Sequence, residues 1–152
     1  MRAGSVLILI IMTAHTSLAT ILTQQQFLMQ LRNYGVPEYD LATWLCIAEH
    51  ESNLDTAAIG TLNTDGSKDH GIFQINDRYW CREHGVGGGC NINCAALRSD
   101  NLDAAIRCAL HIKSRQGFVA WTTYERYCIG PMMQYQQAVH SFCSRGSGSM
   151  FP

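Results

Sequence analysis

The chain has 152 residues, of which 47% are apolar, and a formal net charge of −1. That is enough apolar material for one domain with a real core. No basic or acidic run provides a phosphate-tracking face, so nucleic acid is not an expected partner.

The first 19 residues, "MRAGSVLILIIMTAHTSLA", read as a targeting segment. Arg2 gives a positive start, and the apolar run 6–12 is too short to span a bilayer. Ser17-Leu18-Ala19 is a small-x-small cleavage site. The expectation is a secretory signal peptide over 1–19, cut after Ala19, with no stable membrane association afterwards. The alternative is a membrane anchor. Losing Arg2 lowers the net charge from −1 to −2. Secretion also bears on the seven cysteines (46, 81, 90, 94, 108, 128 and 143), which should pair in an oxidising compartment. Zinc is the competing reading, because Cys81-x2-His84 and Cys90-x3-Cys94 have ligand-like spacing. Seven is odd, so one thiol falls outside any set of pairs.

In chain order, Thr23 can cap a helix over 24–34, with Phe27, Leu28 and Leu31 on one face and Gly35 as the stop. Pro37 breaks the chain. Asp40 can cap a second helix over 41–52, whose face is Leu41, Trp44, Leu45 and Ala48. Asp65-Gly66 is the strongest hairpin signal, and 70–76 is strand-like through Ile72, Phe73 and Ile75. Residues 81–94, with "GVGGG", suit a stapled irregular loop. Ser99 can cap a helix over 100–115, and Asp100 and Asp103 suit its first turn. Short helices are expected over 122–128 and 132–142. The segment "SRGSGSMFP" reads as disordered, which puts the folded domain at 20–145 and a flexible tail at 146–152. The class is α+β with most of the mass helical.

The stretch "CIAEHESNL" (46–54) puts two glutamates around a histidine. Successive helical residues point about 100° apart, so Glu49, His50 and Glu51 cannot share one metal ion. Glu51 lies at the edge of the apolar face, three residues after Ala48 and seven after Trp44. An acid held there loses hydration of its charged form, so its pKa rises and it can donate a proton near neutral pH. Glu49 points to the wetter side. On this ground alone Glu51 is either a working acid or an idle helix-terminal glutamate. The second candidate acid is Asp69, among Asn63, Gln74 and Asn76, whose amides suit sugar hydroxyls or ordinary hairpin polarity. An unbroken strand would put Asp69 on the opposite face from Gln74 and Asn76, and Gly71 offers a bend that resets the faces. Tyr79, Trp80 and Trp121 are either core or stacking platforms for sugar rings.

At these residues the sequence resembles a c-type lysozyme of the insect branch, over about 22–143. "WLCIAEHESNLDT" is similar to the helix bearing the family's catalytic glutamate, which falls on Glu51. "NTDGSKDHGIFQIND" is similar to the hairpin bearing the catalytic aspartate, which falls on Asp69. "YWC", "CNINC" and "AAIRCALHI" follow in order. The resemblance implies a secreted glycoside hydrolase with an active-site cleft between two lobes. It would cut the β-1,4 bond between N-acetylmuramic acid and N-acetylglucosamine in peptidoglycan, with chitooligosaccharides as related ligands. Glu51 would act as acid and Asp69 as nucleophile or stabiliser, with retention. Asn63, Gln74, Asn76, Tyr79, Trp80, Ile112, Ala120 and Trp121 would line the cleft. The implied disulfides are Cys46–Cys128, Cys81–Cys94 and Cys90–Cys108. A monomer without cofactor is expected, with an antibacterial or digestive role. The alternatives are a catalytically weak carbohydrate-binding protein on the same fold, for example in reproduction, and a lactalbumin-like regulatory subunit.

The sequence also departs from the family pattern. Gln25 stands where the family has its first cysteine, which leaves the Cys143 thiol outside the three implied bridges or open to an intermolecular one. Tyr79 replaces a tryptophan, Thr61 an asparagine and His70 a tyrosine. Some relatives bind calcium after "CNINC". In "LRSDNLDAAIRC" the adjacent acidic pair falls at Ala104-Ala105, so no tight metal site is expected. The charge of −2 gives no steering toward anionic walls, which suits a digestive or specialised role.

Overall fold

The computed structural model describes residues 20–61, 63–130 and 132–147, so the expected signal peptide lies outside the described residues. The longest elements among the described residues are four α-helices: α1 (Gln24–Asn33), α2 (Glu38–Ser52), α3 (Asp103–Gln116) and α4 (Met133–Ser147). A three-stranded antiparallel sheet, ordered β1 (Ile59–Gly60), β2 (Asp69–His70) and β3 (Ile75–Asn76), lies between α2 and α3 in sequence. The class is α+β.

Local chemistry explains α1. The Thr23 hydroxyl accepts from the Gln26 N–H while the Gln26 side chain accepts from the Thr23 N–H, forming a capping box. Phe27, Leu28 and Leu31 are buried. Helix α2 begins three residues before the expected start, at Glu38, because Pro37 serves as the N-cap. Asp40 is therefore inside the first turn and caps nothing. It is buried and paired with Lys113 of α3, a long-range role that no local pattern signals. Asn53 ends the helix in the left-handed conformation (φ 54°).

The expected strand over 70–76 is in fact two short strands separated by a turn at 71–74. The turn needs Gly71 at φ 71°, and a Cβ there would lie 1.9 Å from the Leu97 carbonyl oxygen. Ile72 and Phe73 are fully buried in this turn, which is why their apolarity mimics a strand. The expected hairpin turn at Asp65-Gly66 joins β1 to β2, with the Gly66 N–H donating to the Asn63 carbonyl at 3.1 Å. Arg78 and Ser67 both donate to Asp65. The Ser67 hydroxyl is the main cause holding that carboxyl down at about 2.

Ser99 does not cap a helix over 100–115. It ends a 3-10 turn, Cys94–Arg98, and α3 starts at Asp103. Asp100 instead accepts from the Thr56 and Thr20 hydroxyls at 2.6 and 2.8 Å, which diverts it from the helix dipole. The segment over 122–128 is helical, with a π turn over Tyr124–Cys128. Helix α4 runs to Ser147, past the boundary expected after residue 145.

Three disulfides join the elements: Cys46–Cys128 ties α2 to the π turn, Cys81–Cys94 closes the irregular loop, and Cys90–Cys108 fixes that loop to α3. They are the pairs the resemblance implies. Cys143, half-buried on α4, takes part in none of them, and burial followed by neighbouring Glu38 pushes its thiol up. At the centre, Trp44 is fully buried and meets Phe73, Phe118 and Trp121 edge-on, with centroids 5.2, 4.9 and 5.1 Å away.

Candidate active site

The two candidate acids come to one cleft from different elements. Glu51 is in the last turn of α2, and Asp69 opens β2. The helix brings Glu51 to the rim of the buried Trp44–Ala48 face. Its carboxylate accepts a 2.6 Å hydrogen bond from the Thr123 hydroxyl. Burial pushes its pKa above the ordinary carboxylate range. The Thr123 bond opposes that shift, and the charge of Asp69 adds to it. Glu49 differs: it takes an exposed 2.6 Å bond from Gln24 and does not line the cleft. His50 stacks on Tyr127, with centroids 4.2 Å apart, and is also away from the cleft.

Asp69 is held by amides. Asn63 donates to one carboxylate oxygen at 2.7 Å and Asn76 to the other at 2.8 Å. The strand register explains the second bond, because Asp69 is paired directly with Asn76 and cross-strand partners share a face. The turn at Gly71 thus removes the parity conflict of an unbroken strand. Asn63 and Asn76, expected as sugar-binding groups, spend these donors on the carboxylate. Gln74, which also lines the cleft, donates to the Gly71 carbonyl at 2.8 Å. His70, next in sequence, is fully buried on the opposite face of the sheet.

Of the residues expected along the cleft, Asn63 and Tyr79 are outside its lining. Trp80, Ile112, Ala120 and Trp121 line it. The Trp121 indole N–H donates to the Phe73 carbonyl at 2.9 Å, which fixes that ring. Tyr79 is outside the lining, an exposed residue (62%) with the Arg78 guanidinium 6.0 Å from its ring centroid. Ile75 and Thr122 also line the cleft, and sequence reasoning missed both. It missed Thr123 as well, because a hydrogen bond across 72 residues leaves no local pattern. A separate hollow between α2 and α4, walled by Tyr39, Gln136 and Val139, offers one carboxylate, Glu38, and no acid pair.

Two clusters among the described residues have the composition of a metal site. His70 with Cys81 and Cys94 offers no thiolate, because those sulfurs form a disulfide. His70 with Asp77 and Glu83 offers no imidazole lone pair, because Arg98 donates to Nδ1 and the proton of the neutral ring is then on Nε2. Asp100 is committed to two hydroxyls, and Asp103 to Tyr34 and Arg107.

Residues 20–138 match the model of the C-type lysozyme/alpha-lactalbumin family. The chain belongs to that family. It is 46% identical to "Lysozyme X" of Drosophila melanogaster over 104 residues, covering 66% of this chain and 72% of that one. It is 38% identical to "Lysozyme 1" of Musca domestica over 135 residues, or 87% of this chain and 95% of that one. Among solved structures it resembles a lysozyme from Litopenaeus vannamei, with a TM-score of 0.71 and 36% identity, over 80% of this chain and 98% of that one. The chain is thus a glycoside hydrolase of lysozyme type, with the α+β fold of the insect c-type branch. No helix among the described residues is long and apolar enough to cross a membrane.

Proposed function

We propose that the chain is a secreted, monomeric muramidase that hydrolyses the β-1,4 link between N-acetylmuramic acid and N-acetylglucosamine in peptidoglycan, with retention. Glu51 protonates the departing oxygen, and Asp69 acts as nucleophile or stabilises the oxocarbenium-like transition state. Glu51 then activates water. This division of roles is the established one for lysozyme and is taken over from it. One observation carries the reading: a desolvated Glu51 with raised pKa shares a cleft with an Asp69 whose two oxygens are each held by an amide N–H. A protonated acid is a donor, whereas a carboxylate receiving two N–H bonds suits the acceptor-only ionised form. Trp80, half-buried at the cleft, offers flat apolar surface for a sugar ring beside them. Processing after Ala19 delivers the chain from Thr20 onward.

The test is clearance of a peptidoglycan suspension by the chain starting at Thr20. Glu51→Gln and Asp69→Asn are expected to stop clearance, and Glu49→Gln to leave it intact. Loss of activity in Glu49→Gln with retention in Glu51→Gln would overturn the assignment. Absence of clearance by the wild type at every pH, with chitooligosaccharide binding kept, would make the protein a binder.

A further inference from the structure

Under the sheet, on the face away from the cleft, is a polar cluster that the proposed reaction does not use. His70 is fully buried there. Its Nδ1 meets the Arg98 guanidinium, and its Nε2 is 3.4 Å from both Asp77 Oδ2 and Glu83 Oε1. A guanidinium only donates, so the ring presents its Nε2–H to the two carboxylates. Asp77 makes further bonds. Its Oδ1 accepts from the Lys68 N–H at 3.1 Å, and its own N–H donates to the Lys68 carbonyl at 2.9 Å. Lys68 and His70 are the two chain neighbours of Asp69. One side chain, Asp77, therefore grips the backbone before Asp69 and the ring after it.

We propose that Asp77, acting with the Nε2–H tautomer of His70, is a positioning residue that fixes the direction of the Asp69 carboxylate in the cleft. The inference rests on the role given to Asp69 above. Strand β2 has only two residues and cannot be stiff by itself. Asn63 and Asn76 hold the carboxylate at its tip, whereas Asp77 holds the backbone from which it projects. A tilt there moves the carboxylate relative to the sugar without removing any contact with it, and a displacement of about 1 Å can cost up to about 100-fold in rate. Arg98 makes the arrangement one-way, because it forbids the tautomer that would accept a hydrogen bond at Nε2.

The experiment uses the disulfide-bonded chain from Thr20 and a chitooligosaccharide substrate. Asp69→Asn sets the reference, and if it retains full activity the role of Asp69 fails, and the inference with it. With Asp69→Asn inactive, Asp77→Asn decides. It keeps an acceptor for Lys68 but turns an N–H toward the His70 N–H. The expected result is a kcat lower by about tenfold with KM changed less than about twofold. His70→Phe should lower kcat in the same way, and wild-type kcat in both folded variants overturns the proposal. Adding Arg98→Gln to Asp77→Asn lets the ring swap tautomer, since a carbonyl can accept from Nδ1–H, and most of the kcat should return. A purely structural role predicts a further loss instead. Nitrogen NMR of the wild type should find the His70 proton on Nε2. A proton on Nδ1 overturns the proposal whether or not the variants fold.

Discussion

Glu51 and Glu49 are two residues apart on one helix, and their surroundings separate them. Helical geometry turns Glu51 toward Trp44 and Ala48, and the folded chain then adds Thr123. Glu51→Gln is expected to lower hydrolysis by at least about 100-fold. It should also leave the protein no less stable near neutral pH. The folded state holds a proton on Glu51 that the unfolded chain releases, so stability falls as pH rises from the ordinary carboxylate value to the raised one. The amide has no such dependence, and melting temperatures of both proteins compared between about pH 4 and about pH 8 check this. Thr123→Val removes the bond that favours ionised Glu51. Its pKa should climb further, and the alkaline limb of the kcat/KM profile should move to higher pH. A limb that stays in place or moves down would contradict this.

At the scale of elements, the turn between β2 and β3 and the ion pair linking α2 to α3 are the points where one side chain matters most. Gly71→Ala would force a Cβ onto the Leu97 carbonyl at φ 71°, and should destabilise by more than about 3 kcal/mol. Urea unfolding measures that loss, and a loss under about 1 kcal/mol would contradict the geometry. Lys113→Ala leaves buried Asp40 without its cation and should cost about 3 kcal/mol, whereas replacing both partners with apolar residues should cost less. Much at this scale was legible. The cap at Thr23 and the turn at Asp65-Gly66 are set by neighbours a few residues away. Asp40 and Ser99 were misread as caps because each looks like one locally, and each is claimed by other structure. Ile72 and Phe73 were misread as strand because a buried turn and a buried strand show the same apolar run.

For the whole molecule, the disulfides differ in how much chain they close. Cys46–Cys128 spans 82 residues and Cys81–Cys94 spans 13. Loop-closure entropy makes the longer one worth about 1.5 kcal/mol more, so the double alanine variant of the first pair should lose that much more stability in denaturant titrations. A larger loss for the shorter loop would point to enthalpic control. Gln25 of α1, where the resemblance places the family's first cysteine, faces Arg145 of α4, and with its amide turned so that the oxygen meets the guanidinium, 3.0 Å away, the pair can join the two helices. By itself the sequence determined the α+β class, the position of Glu51 and not Glu49 at the rim of the apolar face, and the helices whose caps and apolar faces are local. Its motifs, through the family they resemble, pointed to Asp69 and to the cysteine pairs. Only the tertiary structure decided that Asn63 and Asn76 hold Asp69, that Thr123 meets Glu51, and that His70 turns away into a cluster with Arg98 and Asp77. Spacing and polarity along a chain record what neighbours do. A hydrogen bond between residues far apart depends on where the backbone returns, and the turn at Gly71 and the three disulfides fix that return.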